Sequence, residues 1–336
     1  MRIALDAMGG DHGPELLIHG ALSAIRERAD IEIILLGPRD LLQKKLDTIA
    51  KDSDPVNRLL IEHAPETVSM HESPVDAMRK KKQSTIMVGF ELVRNKRADA
   101  VVSAGNSGAT LAAAIKQLGR LKGVSRPGIA SLFPTLKEPV TIMDIGANVD
   151  CRAQHLFQFA IMASACSSIL LGKENPRIGL LSIGEETGKG NALVKETYSM
   201  LSQSKLNFIG NVEGRDIYRG DVDVVVCDGF VGNITLKVSE GLAEAVQQMM
   251  RTEIMKTWQA KIGYLLIRKA LGDFRKRVDY AEYGGAPLLG IDGTGIISHG
   301  KSNATAIKNA ILVAGEMVRH GINETIRTSL EKYSVQ

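Results

Sequence analysis

Short apolar runs that end in glycine-rich turns alternate along the chain with longer segments of helical spacing. Ile31–Gly37 (IEIILLG) and Asp221–Asp228 (DVDVVVCD) are apolar at consecutive positions, as a strand buried on both faces requires. This pattern predicts strands at 2–6, 31–36, 59–62, 98–103, 140–145, 177–183, 206–210 and 222–227, with a further strand at 129–133. Helices are predicted over 14–28, 39–50, 74–96, 107–119, 153–171, 190–203, 233–250 and 303–319, followed by a polar tail. Strands alternating with helices imply an α/β protein, a mostly parallel sheet held between two helix layers. The chain reads as one unit over 1–336, with 240–280 protruding from it. After Asp228 the alternation gives way to a long basic helical stretch reaching about residue 280, and then to a glycine-rich block.

Composition narrows this picture only slightly. With 44% apolar and 24% charged residues the 336-residue chain is ordinary for a folded protein. The three cysteines, Cys151, Cys166 and Cys227, have neither disulfide-framework nor metal-ligand spacing, which predicts buried thiols in a reducing compartment. No secretory n-region opens the chain and no unbroken apolar run approaches the ~18 residues of a membrane span, so a cytoplasmic protein is expected. Charge is unevenly placed. Between Arg251 and Arg277 eight basic residues face two acidic ones, a net of +6 in a chain of formal charge +4, leaving the rest at about −2. Such a segment suits an acidic partner or an anionic surface.

The turns after the strands carry the chemistry. Ala7–His12 (AMGGDH), Ser103–Ala109 (SAGNSGA), Asp144–Asn148 (DIGAN), Gly184–Asn191 (GEETGKGN) and Asp228–Asn233 (DGFVGN) all combine glycine with Asn, Ser or Lys. Ligands of parallel sheets bind beyond the carboxyl ends of the strands. Five such turns on one predicted edge would form an anion-binding cleft. Asp11, Asp144 and Asp228 are expected to orient donors and close these turns.

Gly295–Ser302 (GIISHGKS) satisfies the phosphate-loop pattern G-x-x-x-x-G-K-[ST]. Only 34 residues follow it, too few for the strands that supply an acidic Mg²⁺ ligand, so the nucleotide reading is rejected. Backbone N–H groups, Lys301, Ser302 and a helix start remain an attractive seat for an anion.

The ordered blocks DAMGGD, SAGNSGA, DIGAN, GEETGKGN, DGFVGN and YGGAPLLG…HGKS together resemble the bacterial phosphate acyltransferase family, PlsX, from residue 2 to about 319. One departure, Thr187-Gly188, leaves Lys189 in place. The resemblance implies a three-layer α/β/α fold akin to phosphotransacetylases and to isocitrate and isopropylmalate dehydrogenases. It also implies conversion of acyl-[acyl carrier protein] and inorganic phosphate into acyl phosphate, which feeds a membrane glycerol-3-phosphate acyltransferase in phospholipid synthesis. Neither a metal nor a cofactor is implied, and no nucleic-acid partner.

Phosphorolysis of a thioester asks the protein to hold a dianion, stabilise an oxyanion and exclude water. Lys189, Asn106, Ser107 and His299 are the candidate catalytic residues, and Gly105, Gly108, Lys301, Ser302, Asn233, Asp228 and His12 the candidate phosphate-binding ones. A rival constellation uses Gly105–Ala109 as a relaxed nucleophile elbow, with Ser107, Asp228 and His299 in the chain order of α/β hydrolases. In the basic stretch, Ile254, Trp258, Ile262, Leu265, Leu266, Ala270, Phe274 and Val278 recur at spacings of three and four. Gly263 and Gly272 interrupt them, which predicts a helical hairpin. Two roles fit it: packing on a second subunit in a homodimer, or membrane contact through Trp258, Ile262, Leu265 and Leu266 on an anionic bilayer.

Overall fold

Successive side chains of a strand point to opposite faces, and here the apolar runs fill a core on both. The computed structural model describes residues 1–51, 54–278 and 283–333. Its strands are β1 (Arg2–Asp6), β2 (Glu32–Gly37), β3 (Leu59–His63), β4 (Ala100–Ser103), β5 (Gly128–Phe133), β6 (Val140–Met143), β7 (Ile178–Leu181), β8 (Phe208–Val212), β9 (Val224–Val226), β10 (Ala286–Leu289) and β11 (Gly295–Ile297). They form one sheet in the order β3-β2-β1-β4-β11-β10-β5-β6-β9-β7-β8.

Ile3, Leu5, Ile33, Leu35, Val224 and Val226 face one helix layer. It consists of α1 (Pro14–Glu27), α2 (Arg39–Ile49), α6 (Ala153–Leu171), α7 (Ala192–Ser202), α10 (Ala304–Arg319) and α11 (Ile322–Tyr333). Ala4, Ile34, Leu36 and Val225 face the other, formed by α3 (Pro74–Lys80), α4 (Thr85–Arg94), α5 (Ser107–Leu118) and the start of α8 (Gly229–Lys256). α9 (Trp258–Val278) follows as the second arm of a hairpin. The predicted α/β/α layering is therefore present. α6 is apolar enough to span a bilayer by composition, but its Phe157, Phe159, Met162 and Cys166 are core.

Several boundaries differ from the sequence expectation. The segment 74–96 is two helices, because the polar run Lys81–Ser84 turns back to pair with Glu66. The tail after 319 is α11, amphipathic rather than merely polar, with Ile322, Ile326 and Leu330 buried. β10 and β11 lie inside the glycine-rich block, too short for periodicity to reveal. The hairpin turns at Thr257, not at Gly263 or Gly272, which both lie within α9.

Strand sense is the larger correction. β10 is antiparallel to β11 and to β5, and β5 is antiparallel to β6, while the remaining pairs are parallel. Three reversals in succession set β6, β9, β7 and β8 against β1–β4 and β11. The five glycine-rich turns consequently do not share one edge.

Candidate active site

A first group of turns follows β1, β4 and β11, neighbours in the sheet. The Asp11 N–H donates to Gly300 O at 2.9 Å. A Cβ on Gly9 would stand 2.8 Å from Gly105 N, so this contact requires glycine. Beneath the turns lies Asp6, buried, accepting bonds from the Ser103 hydroxyl (2.7 Å) and the Met8 N–H (3.2 Å). Ser103 Oγ in turn accepts the Gly105 N–H at 3.1 Å. Burial pushes the Asp6 carboxyl up, against hydrogen bonds from Ser103, Thr85, Met8 and Gly9. Asp6 and Ser103 thus set the shape of the turn, a role their positions at strand ends did not announce.

Asn106 is committed to structure. Its Oδ1 caps α5 by accepting the Ala109 N–H at 3.0 Å, and its Nδ2 donates to the carbonyls of Ser69, Met70 and Glu72 at 3.3, 3.1 and 3.0 Å. Its amide holds the 69–72 loop and is not directed to a ligand, which corrects the expectation for this residue. Gly105 is buried; Ser107 and Gly108 are exposed on the first turn of α5. His12 and Lys301 are exposed and Ser302 is buried. The phosphate-loop match dissolves, since Gly295 starts a strand and Asn303 caps α10. His299 is half-buried, its Nδ1 accepting the Lys301 N–H at 3.1 Å and its carbonyl the Ser302 N–H at 2.9 Å. Burial pushes its imidazole below the ordinary value, with Glu240 and Asp11 opposing and Lys237 and Lys301 adding to the push.

The second group follows β6, β9 and β7, also neighbours. Asp144 is buried and accepts four bonds: from Ile129 N (3.0 Å) and Ala147 N (3.3 Å) on Oδ1, and from Asn148 N (2.7 Å) and Asn148 Nδ2 (3.0 Å) on Oδ2. The Gly229 N–H donates to Asn148 O at 2.7 Å, which seats the start of α8 on this turn. Asp228 caps α8, accepting the Val231 N–H at 2.9 Å. Asp144 and Asp228 therefore close turns. Asn233 is exposed beside Gly146, where a Cβ would stand 3.5 Å from it. In the Gly184–Asn191 turn the Lys189 N–H donates to Glu186 O at 3.0 Å, and Asn211 Nδ2 holds the same carbonyl at 3.0 Å. The Lys189 side chain is exposed and enters no ion pair among the described residues. The N-termini of α6, α7 and α8 meet this edge, each favouring negative charge.

α8 links the groups. It starts at Asp228 in the second, and its Lys237–Glu240 ion pair (2.7 Å) lies within electrostatic reach of His299 in the first. Lys237 lies nine residue steps beyond Asp228, a rise of roughly 14 Å. This geometry dismantles the hydrolase triad. Asp228 belongs to the other group and spends its carboxylate on a cap, while His299 Nδ1 accepts a backbone N–H instead of donating to an acid.

The hairpin leaves the body. α8 buries only Gly229 and Gly232, and none of the residues described for α9 is buried. Trp258 is 68% exposed and Leu266 82%, with Ile262 and Leu265 also exposed. The side chains of Arg275, Lys276, Arg277 and Val278 lie outside the described residues.

The fold is similar to that of phosphotransacetylases. A phosphotransacetylase from Streptococcus pyogenes superposes with a TM-score of 0.62 at 18% identity, covering 95% of this chain and 94% of that one. The EutD phosphotransacetylase from Staphylococcus aureus gives 0.61 at 18% identity with the same coverage. Residues 1–325 match the family described as "Fatty acid synthesis protein". A phosphate acyltransferase from Geotalea uraniireducens is 54% identical over 332 residues, 99% of this chain and 95% of the relative. The chain belongs to the phosphate acyltransferase (PlsX) family and is an acyltransferase enzyme.

Proposed function

We propose that the protein converts acyl-[acyl carrier protein] and inorganic phosphate into acyl phosphate, with phosphate attacking the thioester carbonyl directly. The observation that carries this reading is Lys189, a lysine without an ion pair among the described residues, on a glycine-rich turn at the N-terminus of α7. Lys189, Asn233 and the helix N-termini beside them hold the dianion and stabilise the charge that develops on the carbonyl oxygen. The leaving thiolate, with an ordinary pKa of about 8.5, departs without strong acid assistance. The first group, with Lys301, Ser302 and His299, then serves the donor: the phosphodiester of the carrier's prosthetic arm is the second anion of the reaction. α8 connects the two seats: Asn233 lies about one helical turn, roughly 6 Å of rise, before Lys237. Acyl phosphate trapped as hydroxamate, formed only with phosphate present, is the expected result. Phosphate-independent release of free acid would overturn the reading.

The hairpin supports a second element of the proposal, a cytoplasmic enzyme peripherally bound to an anionic membrane. Trp258, Ile262, Leu265 and Leu266 offer an apolar stripe beside basic residues, each worth about 1 kcal/mol near an anionic surface. Docking there would deliver a lipophilic product to the membrane glycerol-3-phosphate acyltransferase, and a homodimer would present two hairpins. Sedimentation with anionic vesicles should be salt-sensitive and weakened by Trp258→Ala or Leu265→Glu. Equal binding to neutral vesicles would discard the electrostatic element, and no binding at low salt would leave the stripe as a dimer or carrier-protein contact.

A further inference from the structure

The first group of turns continues into a basic surface. The 69–72 loop, held by the Asn106 amide, lies against the Lys301 turn: a Cβ on Gly300 would stand 3.1 Å from Met70 Cε. The chain then enters α3, whose Pro74 lies so close to α5 that a Cβ on Gly108 would stand 2.9 Å from its Cγ. At the far end of α3, Lys116 Nζ of α5 donates to Met78 O at 2.6 Å. α3 therefore runs alongside α5, and the pair present an outward face that begins at the donor seat.

Arg79, Lys80, Lys81 and Lys82 are consecutive on that face, and Lys116 adds a fifth cation. Lys81 is committed to structure, donating to Thr67 O at 2.7 Å and pairing with Glu72 at 2.6 Å. Arg79 and Lys80 occupy the last turn of α3, where the helix dipole favours cations. The dipole gives no reason for Lys82, which lies beyond the helix. Arg79, Lys80, Lys82 and Lys116 are all exposed. Asp76 answers Lys80 at 3.7 Å, while Arg79 and Lys82 enter no ion pair among the described residues. Val75, four residues before Arg79 and so its neighbour on one face of α3, is 76% exposed. An uncovered apolar side chain beside unpaired cations fits a protein partner with an acidic face.

Resting on the acyl-transfer reading above, we infer that the acyl carrier protein docks on α3, an acidic face of it meeting Arg79, Lys80, Lys82 and Lys116 and covering Val75. Six residue steps of α3, a rise of roughly 9 Å, lead from Lys80 back to Pro74 beside Gly108. A carrier seated there sends its prosthetic arm along the same face to Ser107 and the Lys301 turn.

Binding of the unacylated carrier with its arm attached, read by titration calorimetry, probes the surface without turnover. Arg79→Glu with Lys82→Glu, at two exposed positions, should weaken it by about tenfold at low salt and flatten its salt dependence, with Tm unchanged. Arg79→Lys with Lys82→Arg, which keeps both charges, should bind as wild type does. In turnover the double reversal should raise KM for the acylated carrier by a similar factor and leave kcat unchanged. KM for an acyl-phosphopantetheine, which has the arm and thioester but no protein, should stay within about twofold of wild type. Lys261→Glu with Lys269→Glu on α9 should leave carrier affinity equally unaffected. Carrier affinity kept in the α3 reversal, or lost only in the α9 one, would overturn the inference. So would an equal rise in KM for acyl-phosphopantetheine, which would place the effect on the arm and not on the protein surface. Absence of phosphate-dependent acyl phosphate in wild type would instead refute the acyl-transfer reading, so the two fail separately.

Discussion

Replacing Asp144 by asparagine removes one charge and almost no volume, yet the structure predicts a large effect. Each carboxylate oxygen accepts two N–H bonds, and all four partners are donors. An asparagine can turn its oxygen toward one pair only, leaving its own NH2 facing the other. Two buried donors then lose their acceptor, at about 1–3 kcal/mol each, so the expected loss is about 4 kcal/mol. The unfolding entropy of a 336-residue chain is ~0.7 kcal/mol per kelvin, so Tm should fall by ~6 °C. Calorimetry of the variant reads this directly. The same change should reduce phosphate acyltransfer, because the Asp144 turn seats Asn148, Gly229 and, through them, Asn233. Burial pushes the Asp144 carboxyl up while the donated bonds favour the ion. If the bonds were unimportant, Asp144→Asn would be neutral or stabilising. A Tm within ~1 °C of wild type would refute the reasoning.

Three further outcomes are expected. Ser107→Ala should slow the reaction by ~2- to 10-fold, the worth of one hydrogen bond, and intact-mass analysis of wild type should find no acyl group on Ser107; a covalent adduct there would restore the hydrolase reading. Gly232→Ala should destabilise by about 1–3 kcal/mol or displace α8, because its Cβ would stand 1.9 Å from Asp144 O, and an unchanged Tm and activity would show the contact is loose. Burial holds the His155 and His299 imidazoles below the ordinary value of 6.5, so the unfolded chain takes up protons first as pH falls. Their stability contribution is present above about pH 6.5 and lost as pH falls through the folded values. His155→Gln with His299→Gln should flatten Tm against pH in that window, and an unaltered slope would count against the assignment.

Much of the layered fold was legible, because buried strands such as Ile31–Gly37 and long helices such as α6 carry strong periodic signals. The reversal of strand sense was not. It depends on β10, with a proline at its second position, and on β11, three residues that matched a phosphate loop. Sequence spacing lists the turns but not their direction, so Lys189 and Lys301 looked like partners when the sheet assigns them to different groups. Asn106 illustrates a related limit. Its side chain looks free until the 69–72 loop, distant in sequence, takes up its amide. Asp144 and Asp228 were readable as turn closers, since both sit ahead of glycines and short polar side chains accept local N–H bonds there. Asp6 and Ser103 passed as strand residues because only pairing of β1 with β4 brings them together.

The assignment of phosphate to the Lys189 edge is tested most directly by phosphate saturation of two variants side by side. Lys189→Ala should lower kcat/KM for phosphate by about 2–4 kcal/mol, ~30- to 1,000-fold, with acyl-donor saturation little changed. Lys301→Ala should instead raise KM for the acyl donor and leave phosphate saturation within about threefold. The reverse pattern, with phosphate binding lost at Lys301 and kept at Lys189, would contradict the account.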